Sequence, residues 1–147
     1  MTTIAFDGQT LAADRQATHN NTPVLYGKLK KITFRGEPAY VGCAGEIDQW
    51  ATVLDWITTG CDKDKVPCID AKCFSVMVIT KSKNVFYLND GFYFYEMGKS
   101  KWAIGSGAEF ALGAMAHGAT AEEAVSIACT LDVNTGLGID SVKPGRM

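Results

Sequence analysis

The chain has 147 residues, with 14 Lys+Arg against 16 Asp+Glu and a formal net charge of -2. Its 47% hydrophobic and 20% charged residues are ordinary globular proportions, and the length suits one domain over 1–147. Near-neutral charge removes the electrostatic basis for general nucleic-acid binding, and no apolar run approaches the ~20 residues of a membrane span. The start, Met1-Thr2-Thr3-Ile4-Ala5-Phe6-Asp7, lacks the basic opening and apolar centre of a signal peptide. A soluble, cytoplasmic protein with no nucleic-acid or membrane partner is expected.

In chain order, Thr3 to Phe6 and Thr10 to Ala13 read as strands around Asp7-Gly8, a dipeptide whose tolerance of positive φ favours a tight hairpin. Thr18 to Pro23 reads as a loop, Val24 to Phe34 as a strand, and Ala39 to Cys43 as another. The period then changes. Ile47, Trp50, Ala51, Leu54 and Ile57 recur at three- and four-residue steps, which predicts a helix over Glu46 to Thr58 closed by Gly60. Cys61 to Lys72, short and polar with Pro67 inside it, reads as a loop.

A second strand group follows at Cys73 to Thr80, Val85 to Leu88 and Phe92 to Tyr95. The first is apolar at nearly every position, so both faces should be covered. The aromatic run Phe92-Tyr93-Phe94-Tyr95 reads as core in preference to a subunit contact. Helices are predicted at Ala108 to His117 and Ala121 to Leu131, the second opened by a Thr120/Glu123 capping box. A short strand, Gly138 to Val142, and a loose tail finish the chain. Strands, helix, strands, two helices and a strand imply a layered architecture with sheets inside; the alternating βαβ units of a Rossmann fold are absent.

Metal chemistry is not expected. Cys43, Cys61, Cys68, Cys73 and Cys129 contain no C-x-x-C, and His19 and His117 lie far from them in sequence. Reduced thiols are the simpler reading, and no cofactor motif is present. Gly105-Ser106-Gly107 before a helix offers backbone amides, as a plain strand-to-helix turn does.

One arrangement carries chemistry. Removing Met1 would leave Thr2 with a free α-amine beside its hydroxyl. A threonine hydroxyl needs a base, and an α-amine of ordinary pKa about 7.7 to 8.0 suits neutral pH far better than a lysine. A nearby cation would lower that value further, and an aspartate would hold the cation. Asp14 at a strand end and Lys30-Lys31 on the next strand supply those residue types.

These segments resemble the proteasome β-subunit and HslV family of N-terminal-nucleophile (Ntn) threonine peptidases. Thr2-Thr3-Ile4-Ala5 resembles the mature start, Leu11-Ala12-Ala13-Asp14-Arg15-Gln16-Ala17-Thr18 the strand with the family's Asp, and Leu29-Lys30-Lys31-Ile32 the strand with its Lys. Gly42-Cys43-Ala44-Gly45 resembles the turn with the oxyanion glycine. Ile104 to Ala111 resembles the Gly-Ser-Gly segment, and Asp132-Val133-Asn134-Thr135-Gly136 the D-x-x-S-G segment with Thr for Ser.

The resemblance implies an α+β fold, a four-layer αββα sandwich, with a reduced helix layer because 61–72 is short where the family has a second helix. It implies that Thr2 is the nucleophile and its amine the base, with Lys31 tuning the amine and Asp14 holding Lys31. Ser106, Asp132 and Thr135 would hydrogen-bond around the amine, and the Gly45 N–H would stabilise the oxyanion. Ala17, Leu29, Thr33 and Cys43 would line a small, mostly apolar substrate pocket. The implied activity is peptide-bond hydrolysis in a homo-oligomer acting on peptides or unfolded protein; an unfolding ATPase partner leaves no readable mark. Two other readings stay open: an amidase acting on small non-peptide amides, and a non-catalytic binding or scaffold module of the same fold.

Overall fold

The structure, a computed structural model, describes residues 2–19, 22–68, 74–89 and 91–147; Met1, Asn20 and Asn21 of the first expected loop, the 69–72 end of the second, the Cys73 start of the second strand group and Asp90 of the following turn lie outside them. In chain order the elements are β1 (Ile4–Phe6), β2 (Leu11–Asp14), β3 (Gln16–His19), β4 (Thr22–Leu25), β5 (Leu29–Phe34) and β6 (Glu37–Ala44). Then come α1 (Ile47–Thr58), β7 (Ser75–Thr80), β8 (Val85–Asn89), β9 (Phe94–Gly98), β10 (Trp102–Ile104), α2 (Ala108–Ala116), α3 (Ala121–Leu131) and β11 (Ile139–Val142). The fold is mixed α and β.

All strand pairing is antiparallel among the described residues. One sheet has the order β10-β1-β2-β11, a second β5-β6-β7-β8-β9, and β3 pairs with β4 alone. Three cores follow from which side chains alternate to which face. Ile4, Phe6, Leu11 and Ala13 of the first sheet meet Met77, Ile79 and Val85 of the second. The other face of the second sheet packs Val41, Val76, Val78 and Phe86 against Trp50, Val53, Trp56 and Ile57 of α1. The other face of the first sheet presents Ala5, Ala12 and Ala103 to Ala111 and Met115 of α2 and to Ala121, Ala124 and Val125 of α3. β7 is buried at every position because both of its faces are used.

Local signals set several element ends. The Asp7-Gly8 turn closes with Asp7 N–H donating to Thr10 O at 3.2 Å, while Asp7 Oδ1 accepts from Gln9 N and Thr10 N, both at 2.8 Å. The capping box forms: Thr120 Oγ1 accepts from Glu123 N at 3.2 Å and Glu123 Oε1 accepts from Thr120 N at 3.0 Å. Among the described residues, no helix is long and apolar enough to cross a membrane.

The structure corrects or refines several local expectations. Of the loop expected over Thr18 to Pro23, Thr18, His19, Thr22 and Pro23 belong to strands: β3 and β4 pair there, since Thr, Val and Leu suit a pleated ribbon. The expected strand Val24 to Phe34 breaks at Tyr26–Lys28, with the Tyr26 N–H donating to Arg15 O at 2.8 Å. Trp102–Ile104, not anticipated, adds an edge to the first sheet through pairing with β1. Among the described residues, the loop after α1 contains a 3₁₀ turn, Lys63–Lys65, and the tail another, Pro144–Arg146, whose Pro144 is buried. The aromatic run splits by alternation: Phe92 and Phe94 pack under α1, whereas Tyr93 and Tyr95 are exposed.

Candidate active site

The first strand begins where the two sheets and α2 converge. Thr2 and Thr3 are buried, 1% and 0% exposed. Thr3 N–H donates to Asp14 Oδ1 at 3.0 Å, and Asp14 N–H returns to Thr3 O at 3.1 Å. Thr2 O accepts from Gly107 N at 3.3 Å. Gly105, at φ +99°, passes so close that a Cβ would collide with the Thr2 carbonyl, so glycine is required there twice over.

The cation beside Thr2 is Lys28. Its ammonium is 2.9 Å from Thr2 Oγ1 and 2.6 Å from Asp14 Oδ1, and its side chain is almost wholly buried. Asp14 Oδ2 accepts from Gln16 N and Gly136 N, both at 3.2 Å, so the whole carboxylate is hydrogen-bonded. Burial pushes the Lys28 ammonium below its usual range, and Asp14 opposes that shift. A buried ion pair is a weak source of stability. Its position against a hydroxyl is what gives it chemical meaning.

Lys31 does not reach this site. It is exposed on β5 opposite Tyr40, farther along the strand than Leu29, which pairs with Gly42. The break at Tyr26–Lys28 is the physical reason. It frees Lys28 from the strand alternation and lets it turn inward just before β5 begins. The expected Lys30-Lys31 doublet lies within the regular strand, both residues exposed. Gly27 immediately before Lys28 was the sequence signal for that break.

A second hydrogen-bonded chain approaches from α3. Thr2 N–H donates to Ser106 Oγ at 3.3 Å, and Ser106 Oγ donates to Asp132 Oδ2 at 2.5 Å. The same Oδ2 accepts from Thr135 Oγ1 at 2.7 Å. With its proton committed there, the Thr135 hydroxyl accepts from Thr3 Oγ1 at 2.9 Å. Burial disfavours the Asp132 charge, but hydrogen bonds from Ser106, Thr135 and Asn134 outweigh it and hold this carboxyl below the usual range. The structure thus brings together Thr2, Asp14, Ser106, Asp132 and Thr135, adds Thr3 and Lys28, and leaves Lys31 out.

Beside Thr2 opens a cavity of about 400 Å³, which Gly45 also lines. Gly45 sits at φ +128°, where a Cβ would press on Phe74 at 3.1 Å. Ala17, Leu29, Thr33 and Cys43 are not in its walls. Cys43 lies in the core under α1, where burial pushes its thiol up to about 12, and Leu29 packs between the sheets. They occupy opposite faces of one sheet, because β6 alternates. Ala17 is buried on β3, and Thr33 is exposed near the end of β5. The cavity is instead walled by Phe74, Tyr87, Trp102 and Ile104. Among the described residues, no group of three or more His, Cys, Asp or Glu side chains is placed to hold a metal.

No protein-family model matches the chain, and no curated protein matches it by sequence. Solved structures do. BPH from Thiobacillus denitrificans superposes with a TM-score of 0.69 at 19% identity, covering 96% of this chain and 95% of that one. HslV from Trypanosoma brucei gives 0.62 at 18% identity, over 96% and 97% of the two chains. A Gly-1 mutant of Anbu from Hyphomicrobium sp. strain MC1 gives 0.69 at 15%, over 97% of this chain and 81% of that one. The fold is therefore the proteasome- and HslV-like Ntn fold.

Proposed function

We propose that the protein is a threonine-type peptidase whose nucleophile is Thr2, exposed as the first residue once Met1 is removed. The observation that carries this reading is the Lys28 ammonium, buried within hydrogen-bond distance of both Thr2 Oγ1 and Asp14. Lys28 takes the role that the sequence resemblance gave to Lys31. The free Thr2 amine accepts the proton of its own hydroxyl, and Oγ1 forms a bond to the substrate carbonyl carbon. The Gly45 N–H stabilises the resulting oxyanion, a contribution of about 3 kcal/mol per donor in such sites. Collapse breaks the C–N bond, and the Thr2 ammonium returns its proton to the leaving amine. Water, activated by the same amine, then hydrolyses the acyl ester.

Lys28 stabilises negative charge developing on Oγ1 and favours the neutral, basic form of the amine. Ser106, held by Asp132, orients that amine. On this reading the three cores are the interlayer packings of a four-layer αββα sandwich, and the subunits assemble as a homo-oligomer acting on peptide or unfolded-protein substrates in the cytoplasm. The structural likeness to BPH, which has also been solved in complex with epoxomicin, supports an electrophilic probe as the test.

Intact mass should show loss of one methionine. An epoxyketone should then add to Thr2 in the wild type and not in Thr2→Ala. Lys28→Gln, checked for folding by circular dichroism, should slow the adduct roughly 100-fold or more, whereas Lys31→Ala should leave its rate unchanged. A label that survives Thr2→Ala, or depends on Lys31 and not Lys28, overturns the mechanism.

A further inference from the structure

The cavity beside Thr2 has a composition that selects a ligand. Among the described residues, no charged side chain lines it; its walls include Phe74, Tyr87, Trp102, Ile104 and Ala44, with Ser75 and Ser106 as small polar members. Tyr87 and Trp102 meet edge to face, with centroids 5.8 Å apart and planes at 66°. About 400 Å³ lies within the range of small-ligand sites. Apolar walls of that size favour a ring or branched aliphatic group and penalise a charge that finds no partner.

Its side relative to the reacting atoms follows from proton bookkeeping. In the proposed mechanism, the Thr2 nitrogen takes the hydroxyl proton and later delivers it to the departing nitrogen. The leaving group must therefore lie on the nitrogen side of Oγ1. Ser106, which hydrogen-bonds that nitrogen at 3.3 Å, is part of the cavity wall, as is Gly105 beside it. Lys28 and Asp14, which approach Oγ1 and Thr3 instead, are absent from the wall.

We infer that this cavity receives the side chain of the residue just after the scissile bond, and that Tyr87 and Trp102 make it select aromatic or large aliphatic residues there. The inference rests on the threonine-peptidase reading. Specificity is thus carried on the leaving-group side. On the other sheet face, Cys43 and its neighbours are packed into the core under α1.

The test uses unlabelled peptides identical except for Phe, Leu, Ala or Asp after the scissile bond, with cleavage followed by mass spectrometry. Phe and Leu should exceed Ala in kcat/KM by roughly 10- to 100-fold, with Asp below Ala. Tyr87→Leu and Trp102→Leu, each confirmed folded by circular dichroism, should reduce the Phe-to-Ala ratio at least threefold. In parallel, Thr2→Ala protein should bind the product Phe-Ala-Ala amide more tightly than Ala-Ala-Ala amide, by calorimetry. If the epoxyketone labels Thr2 and peptides are cut, but no leaving-side preference appears or neither variant alters it, this inference alone is overturned. Equal binding of the two products also overturns it. If Thr2 is unlabelled and nothing is cut, the catalytic reading fails and takes this inference with it.

Discussion

The two helix-bearing faces are built from opposite materials. Under α1, the core is aromatic: Trp56 stacks with Phe94 at 6.4 Å and 3° and meets Phe92 edge-on at 5.3 Å. Phe34, Trp50, Phe74 and Phe86 complete that layer. Beneath α2 and α3 the contact is mainly alanine, with Ala5, Ala12 and Ala103 facing Ala111, Ala121 and Ala124. Large rings supply burial but hold the helix at a distance. Alanines supply less burial and allow close approach, so α3 can carry Asp132 to within one serine of Thr2. One face is built for stability and the other for placement.

Separating those roles is the purpose of the first two substitutions. Trp56→Ala should cost about 3–5 kcal/mol in denaturant unfolding, while the rate of epoxyketone addition to the folded protein stays near wild type. Equal loss of stability and reactivity would abolish the distinction. Ala124→Leu should cost less stability, about 1–3 kcal/mol by overpacking, yet slow the adduct at least tenfold by displacing α3. Unchanged reactivity there would mean that the site does not depend on close helix approach.

The smallest effect concerns Asp7. Its Oδ2 accepts from Ala121 N at 2.8 Å, tying the first hairpin to the start of α3. Burial raises its pKa, but backbone donors at Thr10, Ala121 and Gln9, with Lys101 nearby, bring it below the usual carboxylate range. The folded state thus favours the ionised form. Its contribution is complete above the unfolded value of about 3.9 and is lost as pH falls through the lower folded value. Asp7→Asn should therefore cost about 1 kcal/mol at neutral pH, and the gap from wild type should narrow in urea melts as the pH falls below the unfolded value. A gap independent of pH would show that the ionised form is not what matters.

What could be read from the sequence was what is set locally. α3 was marked by Thr120 and Glu123 three residues apart, α1 by its apolar period, and the first turn by Asp7-Gly8. Asp14 and Ser106 stood in recognisable short segments. Lys28 did not, because its position depends on a three-residue break between strands, whereas the resemblance lay in Leu29-Lys30-Lys31-Ile32 and pointed to Lys31. The cavity was illegible for a different reason. It joins Phe74, Tyr87 and Trp102 from separate strands, and β10, three residues long, gave too short a pattern to register. Residue types do not reveal which face of a sheet is filled and which stays open.

Thr3 is tethered through its amide, its carbonyl and its hydroxyl, to Asp14 on one side and Thr135 on the other. Residue 2 is consequently aimed by its successor, with no help needed from whatever precedes it. On the peptidase reading, a molecule bearing an extra residue or an affinity tag ahead of Thr2 would share the scaffold of one that begins at Thr2, yet its Thr2 nitrogen would be an amide, whose delocalised lone pair accepts no proton. Latency in this protein would then be a matter of one bond, invisible to any measurement of shape and lifted without refolding.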